Sequence, residues 1–184
     1  LKHWARKNGD KEVFCFHESA PSLATGSHGN NTQTRTYAEL DKTANRIAGG
    51  LQKMRLSKQD RILLVFPAGL EFIDALMGCL YAAAVAVPTP PPSTKKRRAS
   101  ASRFSAVVSN CQPAAILPTS AYYGVVKNMV EELCDGLRCE PPKVTTLETI
   151  KDHNEGLASE VTAASTDLCL IQYTSGSTGA PKGV

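Results

Sequence analysis

Several patterns that mark whole classes of protein are missing from this 184-residue sequence. Its most apolar segment, residues 70–87, carries Glu71 and Asp74 near its start and ends before Pro88. The purely apolar part that remains is about a dozen residues long, shorter than the roughly 20 that a bilayer-spanning helix needs. The first residues also lack the basic-then-apolar pattern of a secretory signal. We therefore expect a cytoplasmic protein without a transmembrane segment.

The six cysteines lack the spacings that would give them a joint structural role. No C-x-x-C pair occurs, and none of the four histidines falls at a metal-ligand spacing from a cysteine. We therefore expect no metal site and no disulfide bond. No neighbouring histidine or helix start stands out as an activator of a thiol, so ordinary reduced thiols are expected. The cysteines are Cys15, Cys79, Cys111, Cys134, Cys139 and Cys169.

Charge of one sign is not in large excess either. The chain has 21 Lys and Arg residues against 17 Asp and Glu residues, a net charge of +4, with both signs mixed along most of its length. That balance is no argument for nucleic-acid binding. With 42% hydrophobic residues, the composition is that of a globular domain or of part of a larger one.

The basic run 95–98 is interpreted as solvated surface, with nuclear import, lipid-headgroup binding and a kinase site as alternatives.

Short apolar runs alternate with helical patterns along the chain. Thr36 and Glu39 have the spacing of a capping box, which predicts a helix beginning at Tyr37. Residues 61–66 form an apolar run closed by Pro67, typical of a strand buried on both faces. The order predicts an α/β fold with a mostly parallel sheet flanked by helices. The other predicted elements are strands at 13–16, 85–87, 114–117, 143–146 and 168–173, helices within 70–84, from the basic run to 110 and over 122–134, and a loop over 19–33.

The eleven residues before Val184 carry the chemistry of a phosphate-binding loop. Glycines allow close approach and positive φ, hydroxyls donate to phosphate oxygens, and Lys182 is the only charged residue of the run. In parallel sheets ligands bind beyond the carboxyl ends of the strands, where a loop following the predicted strand 168–173 would lie. The candidate binding residues are Thr174, Ser175, Gly176, Ser177, Thr178, Gly179, Lys182 and Gly183.

Two common phosphate loops do not fit this spacing. A Walker A loop has glycine before its lysine and Ser or Thr after it, whereas here Pro181 precedes Lys182 and Gly183 follows. A dinucleotide fingerprint needs a G-x-G pair, which residues 176–179 lack. A flexible linker is a further alternative, but it would need neither the apolar run before the loop nor the Pro-Lys-Gly ending.

The run 173–183 resembles, residue for residue, the signature loop of the adenylate-forming superfamily, which includes acyl-CoA synthetases and fatty-acyl-AMP ligases. Residues 36–48 resemble the opening helix of these enzymes, and residues 78–88 resemble their buried helix and second strand. The proline step 90–92 and residues 170–173 are most similar to fatty-acyl-AMP ligases. The resemblance implies that residues 1–184 are the N-terminal portion of the large adenylation domain, ending just after the loop.

The resemblance also implies a two-step reaction. A carboxylic acid, expected to be a fatty acid, attacks the α-phosphorus of ATP with Mg²⁺, and the acyl group then passes from the acyl-adenylate to the thiol of CoA or an acyl carrier protein. In this family the lysine nearest the chemistry belongs to a small C-terminal domain. Lys182 is therefore expected to bind phosphate, and residues 1–184 are expected to hold no catalytic residue and to be inactive alone. The alternatives are a non-catalytic module that binds nucleotide or acyl chains, and a P-loop nucleotide hydrolase.

Overall fold

A computed structural model of the chain describes residues 1–18, 31–93, 95, 97–152, 158–175 and 181–184. The strands in these ranges are β1 Glu12–Glu18, β2 Asn31–Thr36, β3 Arg61–Val65, β4 Val85–Thr89, β5 Ala115–Pro118, β6 Lys143–Val144, β7 Tyr173–Ser175 and β8 Pro181–Gly183. The helices are α1 Lys2–Lys7, α2 Tyr37–Lys53, α3 Leu70–Tyr81, α4 Arg97–Cys111, α5 Tyr123–Leu137 and α6 Leu147–Asp152, with a 3₁₀ turn at Ser120–Tyr122. None of the helices in the described ranges is long and apolar enough to span a membrane.

Four parallel strands form the centre of the molecule, in the order β4-β3-β5-β6. Leu63 of β3 lies level with Val87 of β4 on one side and with Ile116 of β5 on the other. All three side chains are fully buried, as expected for parallel strands that are apolar on both faces. The strand predicted over 61–66 and the mostly parallel α/β fold are confirmed.

Helices cover both faces of this sheet. Helices α2, α3 and α6 pack on one face, where they meet Ile62 and Leu64 of β3. Helices α4 and α5 pack on the other face, where they meet Leu63 and Val65. Consecutive β3 residues reach opposite layers because side chains alternate along a strand. The helical patterns predicted α2 to α5, whereas α1 and α6 have six residues each, too few to show a helical period.

Helix α2 begins where the capping box predicts. The Glu39 amide donates to Thr36 Oγ1 at 3.2 Å, and the Thr36 amide donates to Glu39 Oε2 at 2.9 Å. The helix then packs closely against α3, where a Cβ on Gly78 would lie 2.3 Å from Ile47 Cγ2. Gly78 is therefore required by the close approach of the two helices.

Strands β1 and β2 form a separate antiparallel hairpin. Strand β2 begins at Asn31, so the loop predicted over 19–33 is wrong for its last three residues, while residues 19–30 lie outside the described ranges. Hydrophobic patterning could not reveal this strand, because Thr32, Gln33 and their neighbours are polar and pair with β1 through the backbone.

One ion pair ties the hairpin to the main body. Arg35 Nε and Nη2 on β2 donate to the two carboxylate oxygens of Asp74 on α3, at 3.3 and 3.0 Å. Asp74 is buried, and its hydrogen bonds to the guanidinium raise the pKa of Arg35 above its ordinary value. A two-point contact of this kind fixes orientation as well as distance.

Candidate functional site

The segment that leads to the glycine-rich run has little regular structure of its own. We call residues 158–172 the strap. Leu170 forms a single parallel bridge with Ala86 of β4: the Ala86 amide donates to the Cys169 carbonyl at 3.0 Å, and the Ile171 amide donates to the Ala86 carbonyl at 2.9 Å. The strap therefore runs along the outer edge of the parallel sheet, in the same direction as β4.

The strand predicted over 168–173 is wrong in extent, because regular pairing begins only at Tyr173. Before that point the Gln59 side chain holds the strap in place of a ladder. Its amide nitrogen donates to the Leu168 carbonyl, and its amide oxygen accepts from the Leu168 amide, both at 2.9 Å. Leu168 and Leu170 are 60% and 40% exposed rather than buried.

Further polar contacts hold the strap to the main body, among them an ion pair between Lys2 Nζ and Glu160 Oε1 at 3.3 Å. Gln52 repeats the two-point amide contact with the backbone of Ser159, again at 2.9 Å in both directions. The Lys58 ammonium lies 2.7 Å from Asp167 Oδ2. Hydrogen bonding with Lys58 lowers the pKa of the Asp167 carboxyl below its ordinary value, and the Ala164 amide adds to this effect.

The strap ends in a second antiparallel hairpin, β7–β8. Thr174 lies opposite Lys182, and Ser175 lies opposite Pro181. The prediction that residues 174–183 form an exposed or poorly ordered loop is therefore wrong for both ends of that range, because residues 173–175 pair with residues 181–183 as strands of a hairpin. Among the candidate binding residues, Gly176, Ser177, Thr178 and Gly179 lie outside the described ranges, as does the side chain of Ser175.

The hairpin starts at the carboxyl edge of the parallel sheet. Leu170 is level with Ala86, so three residues later Tyr173 comes level with Thr89, the last residue of β4. Strand β7 also contacts β4, and β8 contacts α4. Carboxyl edges of parallel sheets are where ligands bind in open α/β folds. The exposed side chains of Thr174 and Lys182 are therefore at the expected edge.

Tyr173 anchors this hairpin. Its hydroxyl donates to Asn110 Oδ1 on α4, and its ring packs against the layer formed by α4 and α5. Partial burial raises the pKa of the Tyr173 hydroxyl, which keeps it a neutral donor. The sequence offered no sign of the partner, because 63 residues separate Tyr173 from Asn110.

Gly183 has a packing role that the sequence-based prediction missed. A Cβ at this position would lie 2.9 Å from Ile171 Cγ2 and 3.2 Å from Tyr173 Cζ. Only glycine lets β8 approach the anchoring tyrosine this closely. Of the predicted phosphate-binding residues, Gly183 thus belongs to the support of the hairpin.

The structure disfavours two alternative sites. A Walker A lysine opens a helix, whereas Lys182 lies within strand β8, which argues against the P-loop hydrolase. One of the described cavities, about 480 Å³ in volume, is lined by residues such as Ala114 and Lys143 next to the amino ends of β5 and β6, the opposite edge from the hairpin. Within the described ranges, no group of three or more His, Cys, Asp or Glu side chains could hold a metal ion.

Comparison with known families agrees with this arrangement. A family model described as AMP-binding enzyme matches residues 1–184. The medium-chain fatty acid acyl-carrier-protein ligase JamA of Moorena producens is 37% identical over 153 residues, which are 81% of this chain and 25% of that protein. The 4-coumarate:CoA ligase 1 of Petunia hybrida is 27% identical over 179 residues, which are 93% of this chain and 31% of that protein.

A similar fold occurs in a solved structure. The fatty acyl-adenylate ligase from L. pneumophila, crystallised in complex with acyl adenylate and pyrophosphate, superposes with a TM-score of 0.75 and 30% identity. The match covers 100% of this chain and 28% of that one. The chain thus spans between a quarter and a third of the length of these similar proteins.

Proposed function

The chain belongs to the AMP-binding enzyme family, and on that premise we propose that it is part of an ATP-dependent ligase that converts a carboxylic acid into an acyl-adenylate. Residues 1–184 would form the N-terminal portion of its adenylation domain. The observation that carries the proposal is the family match over the whole chain, together with a hydroxyl-rich hairpin at the carboxyl edge of the sheet.

We propose a fatty acid as the substrate. Both JamA and the L. pneumophila ligase are named for fatty acyl substrates, and each is at least 30% identical to this chain. The coumarate ligase, named for an aromatic acid and CoA, is less similar. The acceptor would be a thiol, either CoA or the prosthetic group of an acyl carrier protein.

The hairpin would serve the phosphates rather than the acyl chain. Every side chain from Thr174 to Thr178 other than glycine is a hydroxyl, and Lys182 is the only charged residue from 173 to 183. Nothing in this stretch is apolar enough to hold a fatty chain. Thr174 and Lys182 lie opposite each other with exposed side chains, so both can reach one anion. Ser175, Gly176, Ser177, Thr178 and Gly179 complete the proposed set.

These residues would bind and orient phosphate and offset its charge, and none of them is proposed to be catalytic. ATP fits the hydroxyls and the lysine of the run. Mg²⁺ would be carried with the nucleotide, because residues 173–183 include no carboxylate to bind it. Protein ligands for the ion would have to come from outside this run.

Replacement of Thr178 by valine in the full-length protein tests the assignment. Loss of one charge-assisted hydrogen bond, worth roughly 1.5–3 kcal/mol, should slow carboxylate-dependent ATP–pyrophosphate exchange by about ten- to a hundred-fold. The order of preference among fatty acids of different length should stay the same. A variant with normal exchange and an altered chain-length preference would show that the run contacts the acyl group instead. Thr32→Val, the same substitution on β2, is the matched control.

A further inference from the structure

The β1–β2 hairpin carries a cluster of three side chains that the proposed function does not use. Cys15 and His17 lie on β1, and Thr32 lies opposite His17 on β2. Cys15 Sγ is 3.4 Å from His17 Nε2, and His17 Nδ1 is 3.1 Å from Thr32 Oγ1. Cys15 and His17 are both exposed. The sequence-based expectation that no histidine accompanies a cysteine is therefore wrong at this position.

The strand geometry explains how the contact arises. Residues two apart on a strand point to the same side, so Cys15 and His17 are neighbours although a residue separates them. When His17 Nδ1–H donates to Thr32 Oγ1, Nε2 is the unprotonated nitrogen and accepts from the Cys15 thiol. A nucleophile, a base and a group that orients the base are thus within hydrogen-bonding reach in that order.

Nothing described in the hairpin competes for the imidazole. Thr34, which lies opposite Cys15, is uncharged. The charged residue that follows on β2, Arg35, is engaged with Asp74 of α3. In the part of the chain that the structure describes, His17 forms no ion pair with a carboxylate. Its ring is therefore available to take a proton from the thiol.

We propose that Cys15 is a reactive thiol that exchanges with low-molecular-weight disulfides, with His17 as its general base. His17 Nε2 takes the thiol proton while the Cys15 sulfur bonds to one sulfur of the disulfide and the original S–S bond breaks. The departing thiolate then takes the proton from the imidazolium. The products are a mixed disulfide on Cys15 and one free thiol, so the disulfide itself is the oxidant and no other reactant is needed.

The other cysteines provide internal comparisons. Cys79 and Cys111 are buried, and burial raises the pKa of their thiols to about 12 and about 11, so they are inert. Cys139 is exposed but lies next to the buried Cys134, whose carbonyl accepts from the Cys139 amide at 3.1 Å. Cys169 is exposed, and among the described residues no imidazole bonds to it. Cys169 is therefore the matched thiol that lacks a base.

The test is exchange of the native chain with oxidised glutathione at neutral pH, followed for each cysteine by peptide mass spectrometry. Positioned acid–base assistance typically contributes roughly 10²–10⁴-fold, and we expect a smaller gain at this exposed site, with Cys15 reacting at least about ten-fold faster than Cys169. His17→Gln, which keeps a polar group but cannot carry a proton in the same way, should bring the two rates within about three-fold.

Two further variants keep the outcome decisive. Thr32→Val leaves the thiol and the imidazole in place but removes the orienting hydroxyl, and it should slow Cys15 by about three-fold without affecting Cys169. His3→Gln, at an exposed histidine away from the cluster, should change neither rate. The proposal is overturned if Cys15 reacts no faster than Cys169, or if His17→Gln and Thr32→Val both leave the Cys15 rate unchanged. None of these readouts depends on ligase activity.

Discussion

The central sheet and the strap lie side by side but are stabilised in different ways. Strand β3 pairs with a neighbour on each side and is fully buried from Ile62 to Val65. The strap has one backbone bridge to the sheet and is otherwise held mainly by polar side-chain contacts from Lys2, Gln52, Lys58 and Gln59, with Ile171 packed against the α4–α5 layer near its end. The scaffold thus has the stability of a hydrophobic core, whereas most of the strap that leads to the proposed phosphate hairpin depends on a few polar contacts that can open locally.

The largest effect should come from the sheet. Leu63→Ala removes a fully buried side chain that packs between β4 and β5, and large-to-small changes in such cores cost about 2–5 kcal/mol. Urea unfolding should show this loss in the free energy of unfolding. Leu168→Ala, the same change on the strap at a 60% exposed position, should cost less than about 0.5 kcal/mol. Equal losses at the two sites would remove the distinction between sheet and strap.

A change in the β7–β8 hairpin should have an intermediate effect. Gly183→Val places side-chain atoms where Ile171 and Tyr173 already lie, and overpacking of this kind costs about 1–3 kcal/mol. The strain should be relieved locally, by separation of β8 from the strap. We expect the amide of Gln172, which donates to the Val184 carbonyl at 2.8 Å, to lose its protection from hydrogen exchange while β3 amides keep theirs. Protection of Gln172 unchanged from the native chain would contradict the packing role of Gly183.

A smaller effect is expected at the amide contact on the strap. Gln59 has a φ of 67°, which asparagine tolerates, so Gln59→Asn shortens the side chain by one methylene without adding backbone strain. The two bonds to Leu168 should be lost, at about 1 kcal/mol each. Hydrogen exchange at Leu168 should then accelerate by roughly thirty-fold, since each 1.4 kcal/mol is about a factor of ten. Gln33→Asn on β2 is the matched control, and acceleration of β3 amides as well would mean that the strap and sheet unfold together.

The smallest effect is a pH dependence confined to the strap. Lys58 lowers the pKa of the Asp167 carboxyl in the folded chain below its pKa in the unfolded chain. The ionised carboxyl therefore stabilises the folded chain at pH values above the unfolded pKa. This stabilisation is lost as the pH falls through the pKa of the folded chain. Protection factors of strap amides should therefore decline below about pH 4, in a range where sheet amides remain protected. In Asp167→Asn the strap should lose this pH dependence. If the protection factors of the variant still declined in this pH range, a group other than Asp167 would be responsible for the pH dependence.

The same contrast explains how much the sequence could predict. The sheet was predictable because burial on both faces leaves continuous apolar runs, as in β3, and because the capping box of Thr36 and Glu39 is local. The candidate binding residues could be named from their residue types, because they lie together in the chain, and their role stays a prediction. The contacts that support the hairpin and the strap could not be predicted. Gln59 lies 109 residues from its partner Leu168 and Asn110 lies 63 residues from its partner Tyr173, and neither residue type indicates such a contact. The two-residue step from Cys15 to His17 is the exception, since extending the strand predicted over 13–16 by one residue would have placed both on one side.

We propose that the chain is part of a ligase that adenylates fatty acids, and ATP–pyrophosphate exchange by the full-length protein, measured with and without a series of fatty acids, is the decisive measurement. Exchange should require the acid, and its rate should fall by about ten-fold or more when Lys182 is replaced by alanine, since a charge-assisted contact to phosphate is lost. Release of inorganic phosphate from ATP without any dependence on a carboxylic acid, and with no exchange, would show that the protein is not such a ligase.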